Sequence, residues 1–122
     1  MTSVLIIDDE PALRGLSRVM LTRLGYQIAE AAEGSQGEAM AIESRPDIVL
    51  LDLMMPGQDG FTTCQNLRTR GFTGKIVFVS ALADPNTIAK AASYGADGYL
   101  EKPVTMGSLR TQLDSLLTPQ AA

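Results

Sequence analysis

The sequence predicts an α/β domain: a single doubly wound sheet of five parallel strands, each followed by a helix. Strand-like and helix-like segments alternate five times along the 122 residues. Three of the strand candidates are nearly pure apolar runs, as expected for central strands covered on both faces. The helical stretches between them carry capping and stop residues at the appropriate ends. Helix alternating with strand requires right-handed crossovers, and those require a parallel sheet.

The first strand, Val4–Ile7, closes on Asp8-Asp9. Asp9 is expected to cap a helix beginning at Glu10-Pro11, where proline is tolerated in the first turn. Leu13, Leu16, Met20 and Leu24 give that helix an apolar face, and Gly25 stops it. Tyr26–Ala29 alternates apolar with polar, the pattern of an edge strand with one solvated face. The second helix runs roughly from Ser35 to Ser44, with Ala39, Met40 and Ile42 inward, ahead of Arg45-Pro46. The third strand, Ile48–Leu51, is wholly apolar and closes on Asp52. Gly57 to Gly60 then forms a loop leading into the third helix, which Asp59 can cap and where Phe61, Cys64 and Leu67 recur before Gly71. The fourth strand, Lys75–Val79, closes on Ser80-Ala81. Asp84-Pro85 opens the fourth helix with a cap and a proline, and Gly95 closes it. The fifth strand, roughly Gly98–Leu100, closes on Glu101-Lys102-Pro103. Met106, Leu109, Leu113, Leu116 and Leu117 stripe the fifth helix. The expected layout is one domain over residues 1–118 with a frayed tail, or the start of a linker, at 119–122.

Composition narrows the chemistry. Hydrophobic residues make up 45% and charged residues 20%, an ordinary globular balance rather than that of a disordered chain. A formal charge of −4 argues against this domain gripping a nucleic-acid backbone by itself. The chain has no histidine, which excludes histidine acid–base catalysis and a phosphohistidine on this chain. Cys64 is the one cysteine, so it is read as a small core residue. The six methionines, scattered without a stripe, read as core filler. Asp52 interrupts the longest apolar stretch, Ile48 to Met55, so no segment is expected to span a bilayer. The amino terminus lacks a basic segment followed by a long apolar one, so no signal peptide and a cytoplasmic location are expected.

The polar residues that close the strands carry the chemistry. In an open parallel sheet, ligands bind at the carboxyl ends of the strands. Asp8, Asp9 and Asp52 would put three carboxylates there, together with the hydroxyl of Ser80 and the amine of Lys102. Gathered carboxylates need a cation, and a lysine facing them suits an anion. Two unit charges about 4 Å apart repel by roughly 4 kcal/mol at an effective dielectric near 20, so at least one of these acids should have a raised pKa. That combination reads as phosphoryl chemistry.

Asp8-Asp9, Asp52 with Met54-Met55-Pro56-Gly57, Ser80-Ala81 and Lys102-Pro103 together resemble the receiver domain of bacterial two-component response regulators. The resemblance covers essentially the whole chain, in order and with ordinary spacings. It implies the flavodoxin-like strand order 2-1-3-4-5. By the resemblance, Asp52 is the nucleophile that becomes an aspartyl phosphate. Asp9 binds Mg²⁺ directly and Asp8 through a water, with Asp52 and the backbone carbonyl of Met54 completing the protein ligands. Lys102 reaches the transferred phosphoryl oxygens, Ser80 hydrogen-bonds to them once they are present, and Tyr99 holds the aromatic switch position. Pro103 makes possible the family's cis peptide at Lys102-Pro103. The implied donor is a sensor histidine kinase or a histidine phosphotransfer protein. The implied readout is a downstream protein target, or a phosphorylation-dependent homodimer, on the face formed by the fourth helix, fifth strand and fifth helix.

Two other classes share parts of this pattern. Haloacid-dehalogenase-type phosphatases also use an aspartyl nucleophile, but place an acid–base aspartate two residues later, where this chain has Met54. A flavodoxin-like cofactor binder suits the fold but needs a phosphate-binding loop, and the Gly57 to Gly60 stretch fits neither nucleotide fingerprint. A signalling domain, not a metabolic enzyme, is the expectation.

Overall fold

The structure, a computed structural model, describes residues 1–117. The expected domain boundary at 118 and the tail at 119–122 lie outside the described residues. Ten elements alternate strictly: β1 (Ser3–Ile7), α1 (Pro11–Arg23), β2 (Gln27–Ala31), α2 (Gly34–Ser44), β3 (Ile48–Asp52), α3 (Gly60–Thr69), β4 (Lys75–Ser80), α4 (Pro85–Ser93), β5 (Gly98–Glu101) and α5 (Met106–Leu117). The five strands form one parallel sheet in the order β2-β1-β3-β4-β5.

Every residue of β3 is buried, as its unbroken apolar run requires at the centre of the sheet. Only β2 and β5 have a free edge, and β2 keeps the alternating exposure read from Tyr26–Ala29. Two cores result. Leu5, Ile7, Val49, Leu51, Ile76 and Phe78 pack under α2 and α3. Val4, Ile6, Ile48, Leu50 and Val77 pack under α1 and α5. Each such side chain contributes about 1.5–3 kcal/mol by leaving water.

The helices depart from the sequence expectation in four places. Asp9 does not cap α1; Glu10 holds the N-cap position without a side-chain bond, and the Glu10 amide donates instead to Asp8 Oδ1 at 2.9 Å. Leu16 is 52% exposed, while Leu21 is buried. At roughly 100° per residue Leu16 sits about 60° to one side of Leu13, beyond the face that meets the sheet. In α2, Ala39 is exposed and Gly34, Gly37 and Ala41 are buried instead. That helix lies so close that a Cβ on Gly37 would stand 2.3 Å from Ile7 Cδ1. At positions 34 and 37 only glycine fits. In α5, Leu109 and Leu113 are fully buried and Leu116 partly so, while Met106 and Leu117 at the two ends are exposed. Nor are the methionines uniformly filler: Met20 and Met55 are buried, but Met54 is 64% exposed.

Other signals act as read. Asp59 Oδ1 accepts from the Thr62 amide and Asp84 Oδ2 from the Thr87 amide, capping α3 and α4. Gly71 and Gly95 take positive φ just past those helices. At the end of the sheet opposite the acids, Arg68 of α3 binds the carbonyls of Phe72, Gly74 and Gly95 and pairs with Asp97 at 2.7 Å.

Candidate phosphoryl and metal site

The register of the sheet assembles the site. Ile7 pairs with Leu51, so Asp8 and Asp52, each one residue further, arrive side by side. Asp9 follows at the next position, and one carboxylate oxygen from each of Asp8, Asp9 and Asp52 lies within 4.8 Å of the others. On the far side of β3, Asp52 pairs with Val79, which places Ser80 just beyond it. Ser80 in turn pairs with Glu101, one residue before Lys102. The Lys102 amide donates to the Ser80 carbonyl at 2.8 Å, fixing the chain as it leaves β5. The Lys102-Pro103 bond is cis. Lys102 Nζ lies 3.4 Å from Asp52 Oδ1.

Asp52 and Asp8 are 3% and 6% exposed, and Ser80 is 1% exposed. Burial pushes the Asp52 carboxyl up to about 6; the neighbouring Asp8 adds to the rise, while Lys102 and the Met54 amide oppose it. Met54 N donates to Asp52 Oδ1 at 3.3 Å, which turns the β3–α3 loop back toward the acid. Arg14 of α1 holds the Asp8 carbonyl at 2.7 Å and pairs with Glu30 of β2 at 3.4 Å. The acidic pair is therefore braced from α1, a contact absent from the sequence expectations. Its only sequence signal is a basic residue one helical turn beyond the acids.

The hydroxyl of Ser80 accepts from the Leu82 amide at 3.1 Å, leaving its own proton to donate. Tyr99 Oη donates to the Leu82 carbonyl, and its ring lies 6.4 Å from that of Phe78. The β4–α4 loop is thus held at Leu82 by both Ser80 and Tyr99. Met54 and Leu82, 64% and 47% exposed, present apolar side chains to solvent in the loops that follow Asp52 and Ser80. Of the sequence-predicted residues, Asp8, Asp9, Asp52 and Lys102 come together at the pocket, and Ser80 and Tyr99 both bind Leu82 and lie against each other. Glu101 is exposed, and Cys64 is fully buried in the core with burial raising its thiol to about 11.

The family described as response regulator receiver domain matches residues 4–114. The chain belongs to the response regulator receiver family. A receiver of this family is a phosphorylation-activated switch of two-component signalling; Mg²⁺ binding and exchange with histidine kinases or phosphotransfer proteins are general features of the family. Among curated relatives, the DNA-binding dual master transcriptional regulator RpaA of Synechocystis sp. is 38% identical over 129 residues, covering 100% of this chain and 54% of that protein. The transcriptional regulatory protein ResD of Bacillus subtilis is 34% identical over 116 residues, covering 95% of this chain and 48% of that protein. The receiver chain therefore spans about half the length of the curated relatives it matches. Among solved structures, the chemotaxis protein CheY4 of Vibrio cholerae aligns with a TM-score of 0.90 at 28% identity, covering 96% of this chain and 99% of that one. A Borrelia burgdorferi CheX-CheY-BeF3-Mg complex contains a chain that aligns at 0.92 and 25% identity, covering 97% of this receiver and 90% of its own length. Among the described residues, no helix is long and apolar enough to cross a membrane.

The three acids offer hard oxygen donors on one side of a solvent-facing pocket, the donor chemistry that suits Mg²⁺. No nitrogen or sulfur ligand stands among them.

Proposed function

We propose that this receiver stores a signal as an aspartyl phosphate on Asp52. The observation that carries the reading is the meeting of Asp8, Asp9 and Asp52 within 4.8 Å while Lys102 faces Asp52 from 3.4 Å. In the transfer, a carboxylate oxygen of Asp52 attacks phosphorus. The new P–O bond forms as the P–N bond to a donor phosphohistidine breaks, and the imidazole leaves. Asp8, Asp9, Asp52 and the main-chain carbonyl of Met54 would hold Mg²⁺, which when bound neutralises charge on the transferred group. Lys102 supplies a second positive charge, already directed at Asp52. Burial of Asp52 at the end of β3 limits its motion and orients it toward the pocket.

The acyl phosphate adds about −1.5 to −2 units of charge and strong acceptor oxygens. Ser80 can donate its proton to those oxygens once they are present. Drawing Ser80 toward them pulls on the Leu82 amide, and Tyr99 is bound to the same residue's carbonyl. The β4–α4 loop, α4 and β5 thereby sense the modification. Moving such an equilibrium from 1:99 to 99:1 takes about 5.5 kcal/mol of differential interaction. A few charge-assisted bonds at about 1.5–3 kcal/mol each suffice. The α4-β5-α5 face is then the surface for a downstream protein or a second phosphorylated copy. The donor is a sensor histidine kinase or a histidine phosphotransfer protein, and the domain works in the cytoplasm. With a net charge of −4, this segment leaves any nucleic-acid contact to other parts of a longer protein or to partners. Met54, apolar and solvent-facing, cannot protonate a leaving group, which argues against a phosphatase acting on ordinary monoesters.

Intact-mass measurement after treatment with acetyl phosphate or phosphoramidate and Mg²⁺ tests the reading. One added phosphoryl group is expected, absent without Mg²⁺ and absent in Asp52→Asn. No addition, or an addition that persists in Asp52→Asn, overturns it.

A further inference from the structure

The β3–α3 loop, between Asp52 and the start of α3 at Gly60, is anchored near Asp52 by the buried side chains of Leu53 and Met55 and by the Leu53 amide, which donates to the Val79 carbonyl of β4 at 3.2 Å. Within itself it is closed by the Gly60 amide on the Leu53 carbonyl at 3.1 Å and by the Met54 amide on Asp52. Toward α3, its one side-chain hydrogen bond to another helix among the described residues comes from Gln58. Gln58 Nε2 donates to Glu38 Oε1 of α2 and to Thr63 Oγ1 of α3, both at 3.0 Å. The same Glu38 oxygen accepts from Asn66 Nδ2 at 2.9 Å, and its other oxygen pairs with Arg70 at 2.8 Å. Glu38 is only 14% exposed, and no residue of this cluster belongs to the acidic pocket. Burial alone would raise the Glu38 carboxyl, but the bonds from Asn66, Arg70 and Gln58 outweigh it and hold the group below its usual range.

Backbone contact reinforces the tether. A Cβ on Gly34 would stand 2.7 Å from the Gln58 carbonyl oxygen and 2.4 Å from Thr63 Oγ1, so α2 abuts the loop with nothing between them. Gln58 is half-buried, so its amide group is only partly exposed to water. Surface glutamines usually gain little from a single bond. One held between a half-buried carboxylate and a buried threonine holds the loop in place.

We propose that Glu38 and Gln58 are positioning residues for the divalent ion: together they hold the β3–α3 loop so that the Met54 carbonyl stands ready beside Asp52. The inference rests on the metal reading above. It assigns to α2, which contributes no atom to the pocket, a part in setting Mg²⁺ affinity. Outer partners that orient a metal ligand are worth roughly 10-fold or more in affinity.

The test titrates unphosphorylated protein with Mg²⁺ alone, by calorimetry, alongside thermal melts and amide exchange in metal-free buffer. Gln58→Met, which keeps the volume but loses the donor, should weaken Mg²⁺ binding by roughly 10-fold. It should also speed exchange at the Met54 to Gly60 amides. Glu38→Ala should match it, and Glu38→Gln, which keeps an acceptor oxygen, should recover most of the affinity. Arg70→Ala serves as the structural control, because it removes the other side of Glu38 and leaves the Gln58 bond. It should lower the melting temperature and leave Mg²⁺ affinity within about 2-fold, below the loss expected of an outer partner. Should Glu38→Ala fail to fold, Gln58→Met carries the test by itself. If wild type binds Mg²⁺ and Gln58→Met binds it equally, the positioning role is wrong and the metal reading stands. If Gln58→Met and Arg70→Ala weaken binding alike, the cluster is merely structural and the inference falls. If wild type takes up no Mg²⁺, the metal reading and the inference fall together.

Discussion

Replacing Asp52 with asparagine should stabilise the metal-free protein at neutral pH. The carboxyl sits at about 6 in the folded chain against 3.8 for an unperturbed aspartate, because burial and Asp8 outweigh the help from Lys102. Below about 4 the group is protonated in both folded and unfolded states and costs nothing. Between 3.8 and about 6 the unfolded chain has released its proton and the folded chain has not, so stability falls as pH rises through that window. Above about 6 the full cost is present. At about 1.4 kcal/mol per pH unit, a window of roughly two units amounts to about 3 kcal/mol. An asparagine of the same shape removes that cost, and the net value already contains the lost attraction to Lys102. For a chain of this size the gain corresponds to roughly 6–12 °C in melting temperature. Urea unfolding of wild type and Asp52→Asn in EDTA, at pH 7.5 and again at pH 4.5, measures it directly. The variant should be more stable by about 2–3 kcal/mol at the higher pH, and the advantage should shrink by more than half at the lower. Adding Mg²⁺ should close the gap by stabilising wild type by RT ln(1 + c/Kd), where c is the free Mg²⁺ concentration. Equal stability at pH 7.5, or an advantage that ignores pH, would refute the view that the buried Asp52 charge costs folding stability.

Other parts of the fold make separate predictions. Arg68→Ala leaves the carbonyls of Phe72, Gly74 and Gly95 and the Asp97 carboxylate without their shared donor, and should cost about 2–4 kcal/mol in urea unfolding; Arg68→Lys, with one point charge in place of a planar fork, should recover less than half. Met54 and Leu82 are apolar and cannot orient an attacking water, so Met54→Asn should lose its phosphoryl group several-fold faster than wild type; faster or unchanged loss from the wild type counts against this. Cys64 is fully buried, burial raises its thiol to about 11, and its sulfur donates to the Tyr94 carbonyl, so at pH 8 it should resist thiol reagents until the protein is unfolded. Rapid labelling of native protein would show that α3 opens from the sheet.

The pattern of the site explains why positive charge is favoured beside Asp52. Three carboxylates share a small space, two of them are nearly sheltered from water, and Lys102 compensates only one. Such a pocket stabilises whatever brings positive charge to it. The bracing of Asp8 by Arg14, and of the β3–α3 loop by Gln58, keeps the acids and their neighbours in place despite that repulsion.

Local sequence determined the alternation of elements, because apolar runs, caps and stop glycines act over a few residues. Ile48–Leu51 could only be a central strand, and Asp59 and Asp84 mark helix starts through bonds that span three residues. The residues that close the strands also named the site, since any parallel α/β sheet presents those ends to ligands. What only the tertiary structure decided is which residues meet across the chain. The place of Leu16 outside the core, the burial of Gly34, Gly37 and Ala41 in preference to Ala39, and the brace from Arg14 depend on how closely each helix approaches the sheet. The link from Glu38 through Gln58 to the loop beside Asp52 joins residues 20 apart in sequence. No periodicity encodes that distance of approach; it is set when both faces of the sheet pack at once.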